Sequence, residues 1–149
     1  MTIFISPFSK ELRNGNNNPK NYPYWSELIN RLKLNGHEIV QVGISSEPKL
    51  VEEIIFDKKI SDLSWEVKTR MDTFIAVDNF FQHFAHYYGY HGIVLWCPSD
   101  PKLFGYKENK NLYKTSSYFR KNQFETWEQI EFNSINFVEP AEVIKALES

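Results

Sequence analysis

Cysteine is nearly absent from this chain, because Cys97 is the only one among its 149 residues. A single thiol excludes an internal disulfide and a structural zinc site built from several cysteines. Disulfides persist in oxidising compartments, so a chain without them fits an intracellular, reducing setting best. Cys97 follows an apolar run, and no base can be assigned to it. A small, partly buried apolar role is therefore a better interpretation than a nucleophile.

Long apolar runs are missing as well. No segment approaches the roughly 18 continuous apolar residues of a membrane-spanning helix. Residues 1–9 lack the basic start and the apolar stretch of a signal peptide. We therefore expect a cytoplasmic protein with no membrane span.

Neither a strong charge nor a familiar catalytic signature is present. The formal net charge of -2 provides no basic field, so we expect no nucleic-acid partner. The sequence also lacks the glycine-rich dinucleotide motif, the phosphate-binding P-loop, HExxH, CxxC and GxSxG. We expect no metal and no cofactor, and the length fits one domain over residues 1–149 without repeat or linker.

The clearest positive pattern lies in residues 73–106. An apolar run at 74–77 stops at Asp78, a second one occupies 93–96, and a polar loop follows at 97–106. Between the runs lies an amphipathic segment whose apolar side carries Phe81, Phe84, Ala85 and Tyr88. This order predicts strand, helix, strand and loop, and hence a parallel βαβ unit.

The rest of the chain repeats the alternation. Residues 2–5 and 37–42 are predicted strands, and 63–71 and 141–147 are predicted helices. A further helix is predicted from Pro23, since Trp25, Leu28, Ile29 and Leu32 follow helical spacing. Residues 51–59 fit either a helix or a strand, and 124–130 fit a short helix. Residues 107–111 are polar and lack periodicity.

These elements predict an α/β fold with helices on both faces of a parallel sheet. Ligands of such sheets lie outside the carboxyl ends of the strands. Asp78, Asn79 and the turn at 99–101 fall there, as does the Asn-rich loop at 11–20. That loop is equally consistent with a mobile linker and with a ligand loop.

Most of the candidate residues allow two interpretations. Asp78 or Asn79 can cap the following helix, and either can also contact a ligand. Glu47, in the loop after the second strand, is either a solvated charge or an acceptor for ribose hydroxyls. His83 and His86 lie three residues apart, but a metal site would need a third ligand.

Four ordered landmarks resemble the donor-binding half of heptosyltransferase-like glycosyltransferases of family nine, which have the GT-B fold. They cover about residues 5–106. The first is the basic-aromatic-Pro-x-x-Trp entry to the first helix at 19–25, and the second is the Gly-x-x-x-Glu loop at 43–47. The third is Asp78–Asn79 with Gln82, His83, Ala85 and Gly89, and the fourth is the apolar run at 93–96 with Ser99–Asp100–Pro101.

The resemblance implies a Rossmann-like, three-layer domain that binds a nucleotide-diphospho-sugar. It places Ser6 and Ser9 near the diphosphate, Lys20 as its neutralising cation and Glu47 at the ribose. It also implies that Asp78, Asn79 and His83 face the sugar and phosphates, and it adds Ser99 in the proline-containing loop. Residues 107–149 remain a C-terminal extension with a terminal helix.

The resemblance covers only one of the two halves of such an enzyme. A partner protein or a second copy of the chain would then have to complete the transfer site, and no catalytic residue is assigned. Phe80 stands where the family has glycine, which favours a second hypothesis, a non-catalytic interaction protein. A third hypothesis pairs Asp78 and His83 as acid and base, and it requires the two side chains within hydrogen-bond reach.

Overall fold

The protein is described here by a computed structural model covering residues 1–120 and 130–149. Its strands are β1 (Thr2–Ser6), β2 (Glu38–Gly43), β3 (Ile54–Phe56), β4 (Thr73–Val77), β5 (Ile93–Leu95) and β6 (Lys110–Leu112). Its helices are α1 (Trp25–Leu34), α2 (Ile60–Arg70), α3 (Phe80–Tyr87), α4 (Pro101–Phe104) and α5 (Pro140–Glu148). No helix in these two ranges has the length and apolar character needed to cross a bilayer.

The six strands form one parallel sheet in the order β3-β2-β1-β4-β5-β6. The chain starts in the middle, adds β2 and β3 on one side, then returns to add β4 to β6 on the other. Phe4 of β1 therefore lies opposite both Val40 of β2 and Phe74 of β4. The direction in which the chain adds strands reverses between β1 and β4. A crevice opens at this point, at the carboxyl ends of the two strands.

Alternating side chains of the strands fill one apolar core on each face of the sheet. Ile3 and Ile5 of β1 point to the core that also holds Leu28 of α1 and Val143 of α5. Phe4, on the opposite side of β1, belongs to the core shared with Phe81 of α3 and with α2. The predicted α/β fold with three layers is confirmed.

The apolar strands and helices lie close to where the sequence places them. In the ambiguous segment 51–59, the structure has the short edge strand β3. Helix α2 begins at Ile60, three residues before the predicted start at 63. Helix α3 ends at Tyr87, and the ring of Tyr88, which is 42% exposed, lies 5.0 Å from that of Phe84. Most of the predicted helix at 124–130 lies outside the described residues.

Strand β6 was missed because its sequence, Lys110–Asn111–Leu112, has no apolar run. Its position depends on pairing with β5, in which Asn111 lies opposite Val94. The segment 107–149 therefore contributes one strand to the sheet, and through α5 it contributes Val143 to the core.

Gln41 is a polar residue fully buried in β2. Its Nε2 donates to the carbonyl of Pro48 at 2.8 Å, and its Oε1 accepts from the N–H of Leu50 at 2.7 Å. Both backbone groups belong to the loop that carries Glu47. One core side chain thus fixes the course of the loop at the carboxyl end of β2.

We expect Gln41→Leu to lower the free energy of unfolding by about 1–3 kcal/mol, because it removes two part-buried hydrogen bonds that each contribute about 0.5–1.5 kcal/mol. Urea unfolding measures this loss. Glu38→Leu, an exposed substitution in the same strand, should change stability by less than about 0.5 kcal/mol. Equal stability of the Gln41 variant and the wild type would contradict this role.

Candidate functional site

A cavity of about 310 Å³ opens at the carboxyl ends of β1, β2 and β4, where the strand order reverses. Its lining includes Ser6, Lys10, Lys20, Glu47, Asp78 and Asn79. A neighbouring cavity of about 300 Å³ shares Ser9, Lys10 and Glu47 with it and is walled by the Asn-rich loop. We call the two together the carboxyl-edge cleft. The structure thus brings together most of the residues that the sequence singled out.

Asn79 joins the ends of β1 and β4. Its Oδ1 accepts from the N–H of Phe81 at 3.0 Å, so Asn79 rather than Asp78 caps helix α3. Its Nδ2 contacts the Ser6 hydroxyl at 2.9 Å and the carbonyl oxygens of Ser6 and Phe8 at 3.2 and 3.1 Å. The Ser9 hydroxyl adds a second link between the two strand ends, because it donates to the Asp78 carbonyl at 2.7 Å. Asn79 is therefore both a helix cap and a tie between two loops.

Asp78 and Lys20 form an ion pair in the floor of the cleft. The Lys20 ammonium lies 3.0 Å from Asp78 Oδ2, and the side chains are only 14% and 9% exposed. The other carboxylate oxygen, Oδ1, accepts from Gln82 Nε2 at 3.0 Å. Asp78 thus holds a lysine at the edge of the cavity, and Gln82, one helical turn further on, fixes the carboxylate.

The Asn-rich loop is built around buried Asn18. Its Oδ1 accepts from the N–H of Lys20 at 2.9 Å, and its Nδ2 donates to the carbonyl of Lys10 at 2.7 Å. Asn21 accepts from the N–H of Ser9 at 2.8 Å. The loop therefore lines the cleft and holds the backbone of Lys20 in place.

Glu47 places an ionisable group between the two parts of the cleft. Its carboxylate lies against Gly43, in space that the Cβ of any other residue would occupy unless the glutamate moved. Its Oε2 is buried and finds no hydrogen-bond partner among the described residues. Burial raises the pKa of Glu47 to about 7, a backbone hydrogen bond from Ile44 opposes the shift, and the charge of Asp57 adds to it. Glu47 can therefore change its charge near neutral pH.

Two of the predicted site residues lie elsewhere. His83 Nδ1 shares a hydrogen bond of 2.7 Å with the Tyr106 hydroxyl and does not line the cleft. Ser99 is 1% exposed, and its hydroxyl has no partner among the described residues. Asp78 bonds Lys20 and Gln82 and makes no hydrogen bond with His83, so the acid–base pair of the third hypothesis is not formed.

Two further residues at the cleft, one in its lining and one behind it, were not assigned to the site from the sequence. Lys10 lines both parts of the cleft, and Gln82 orients Asp78. The position of Lys10 directly after Ser9, and the i,i+4 spacing of Gln82 from Asp78, are the signals that could have identified them.

Cys97 is buried, and burial raises the pKa of its thiol to about 11. The structure therefore keeps this thiol in the protonated form that is a poor nucleophile. Over the ranges 1–120 and 130–149, no cluster of three or more His, Cys, Asp or Glu side chains is arranged to hold a metal ion.

The structure resembles solved glycosyltransferases, although no family model and no curated protein matches the sequence. The E. coli ADP-heptose LPS heptosyltransferase II aligns over 99% of this chain and 45% of its own, with a TM-score of 0.69 and 13% identity. The E. coli heptosyltransferase WaaC with ADP aligns over 99% and 43%, with a TM-score of 0.65 and 16% identity. The chain therefore spans less than half the length of either neighbour, and its fold is that of one half of a GT-B glycosyltransferase.

We expect Glu47→Gln to stabilise the protein at pH 8 and to have little effect near pH 4.5. The folded state keeps the Glu47 proton up to a pKa of about 7, whereas the unfolded state loses it near 4.5. Ionisation therefore lowers wild-type stability as pH rises through this window, and the neutral glutamine avoids the loss.

The gain at pH 8 should be about 1–2 kcal/mol, less than the full shift implies because Glu47 is partly exposed. Urea unfolding at both pH values measures it. Glu52→Gln, a substitution at an exposed neighbouring residue, should change the free energy of unfolding equally at the two pH values. A stability difference between the Glu47 variant and the wild type that does not change with pH would rule out the burial of Glu47 as its cause.

Proposed function

We propose that this chain binds a nucleotide-diphospho-sugar in the carboxyl-edge cleft, as the donor-binding half of a glycosyltransferase. The observation that carries the proposal is the largely buried Lys20–Asp78 ion pair at the reversal of strand order. Ligands of doubly wound sheets bind at this point of the fold. The two structural neighbours are described as acting on ADP-heptose or as containing ADP, which indicates a donor of this kind.

The diphosphate fits the cationic side of the cleft. Lys10 and Lys20 line the cavity, and helix α3 begins there after its Asn79 cap. Ammonium groups and the positive end of a helix both stabilise phosphate charge. Ser6 and Ser9 line the same space. In this arrangement Asp78 is a positioning residue, because it holds Lys20 in place rather than meeting an anion itself.

Glu47 fits the ribose or another polyol. Its buried Oε2 has no partner among the described residues, and hydroxyl groups are the donors that would satisfy it. The adjoining part of the cleft is lined by Asn16, Asn17 and Asn18. The ligand would therefore extend from Lys20 past Glu47 toward this loop.

Sugar transfer also requires a surface that holds the acceptor. The neighbours are more than twice as long as this chain, so we propose that a partner protein or a second copy supplies this surface. Phe80, 48% exposed at the start of α3, lines the cleft and reduces the space in front of the helix. We assign no catalytic residue, and the proposal concerns donor binding.

A second candidate function is a non-catalytic interaction protein. Trp65 of α2 and Tyr87 of α3 are 66% and 81% exposed, and both helices cover the same face of the sheet. Aromatic residues are enriched at protein interfaces. A stable complex in light scattering together with no binding of any nucleotide would favour this function over donor binding.

Calorimetric titration with ADP, ADP-glucose, UDP-glucose and GDP-mannose tests the proposal. We expect at least one of them to bind, and Lys20→Gln to weaken that binding about tenfold or more, since a charge-assisted contact to phosphate contributes about 1.5–3 kcal/mol. Lys33→Gln, an exposed substitution on α1, is the matched control and should leave the affinity unchanged.

Removing Lys20 leaves the Asp78 carboxylate without its cation, so the fold of the variant must be checked by circular dichroism. Lys10→Gln provides a second variant without this complication, and it should also weaken binding. If no nucleotide binds, or if both lysine variants bind as tightly as the wild type, donor binding in this cleft is wrong.

A further inference from the structure

A further cavity lies away from the carboxyl-edge cleft. It measures about 630 Å³ and shares no lining residue with the cleft. Its walls come from His86 of α3, the α4 region with Lys102, the loop that follows, and β6. We call it the α3–β6 cavity. Cavities of this size accept small organic ligands.

Tyr106 forms a rigid wall of this cavity. Its ring stacks on the His86 imidazole, with 3.7 Å between ring centroids and 10° between planes. Its hydroxyl shares the hydrogen bond with His83, one turn earlier on the same helix. Two residues of helix α3 therefore hold the ring of Tyr106 in place before any ligand arrives.

The loop around Tyr106 is equally well anchored. Asn111 Nδ2 donates to the Tyr106 carbonyl at 2.8 Å, and Asn111 Oδ1 accepts from Trp96 Nε1 at 2.8 Å. Gly105 lies so close to Trp96 that a side chain there would collide with the indole. The loop that lines the cavity is thus anchored to Trp96, a fully buried residue of the core.

The charge of the α3–β6 cavity is opposite in sign to that of the whole chain. Lys102 and Lys107 line it with Glu108, whereas the chain carries a net charge of -2. Neither lysine forms an ion pair within residues 1–120 and 130–149. Tyr113, 39% exposed, adds a second aromatic ring to the lining. Lysines beside tyrosine rings suit a ligand with an anionic group and a ring.

We propose that the α3–β6 cavity binds a small organic phosphate, with the phosphate at Lys102 and Lys107 and the ring against Tyr106 and Tyr113. A sugar phosphate and an aryl phosphate share this chemistry, so the experiment separates them. The proposal is independent of the donor site, because the two sites have no residue in common.

A backbone-amide NMR titration tests the proposal with phenyl phosphate, glucose 6-phosphate and inorganic phosphate, each added separately. Gly105 reports on the α3–β6 cavity, and Gly43 reports on the carboxyl-edge cleft. We expect at least one organic phosphate to shift the Gly105 signal to saturation while Gly43 stays in place. Inorganic phosphate should bind about tenfold or more weakly, because it makes no ring contact.

Three variants assign the contacts. The double variant Lys102→Gln/Lys107→Gln should weaken binding about tenfold or more by removing both charges. Tyr113→Ala should weaken the binding of the organic phosphate and leave the affinity for inorganic phosphate unchanged. Lys114→Gln, an exposed lysine outside the cavity lining, is the control and should bind like the wild type.

A Gly105 signal that stays in place with every probe would overturn the proposal. So would a double lysine variant that binds as tightly as the wild type. Inorganic phosphate that binds as tightly as both organic phosphates would overturn the role of the tyrosine rings.

Discussion

The polar contacts between the ends of β1 and β4 are the constraint on which the carboxyl-edge cleft depends. The crevice exists because the strand order reverses there, but a reversal alone leaves two loops free to part. Asn79 joins them through Ser6 and Phe8, and the Ser9 hydroxyl closes the connection at the Asp78 carbonyl. The same asparagine caps α3, so the start of the helix and the loop after β1 are fixed by one side chain.

This tie gives the charges of the cleft fixed positions. Lys20 lies after the loop held by Asn18, and Asp78 lies directly before Asn79, so their ion pair spans the crevice. Little water reaches the pair, and removing one partner would leave the other charge poorly compensated. Glu47 approaches from β2 with a pKa near neutrality. A cation paired with a carboxylate, beside a carboxyl of variable charge, is an arrangement suited to a phosphorylated, hydroxyl-bearing ligand.

Sequence patterns predicted the parts of this structure that local physics determines. Apolar runs located β1, β2, β4 and β5, and helical spacing located α1. Ligands of parallel sheets bind outside the carboxyl ends of the strands, which placed Asp78 and Asn79 near the predicted site. Only the structure shows that Asn79 is the residue that caps α3. Strand β6 escaped prediction because pairing with β5 stabilises a polar sequence. The hydrogen bond between His83 and Tyr106 is a contact across 23 positions that no local pattern reveals.

The most direct test of the account is a crystal structure of the chain with ADP at saturating concentration. We expect the diphosphate in the carboxyl-edge cleft, with phosphate oxygens within about 3.2 Å of the Lys20 ammonium and near the start of α3. We also expect ribose hydroxyls at Glu47. ADP bound at another surface, or an empty cleft at saturation, would contradict the central claim.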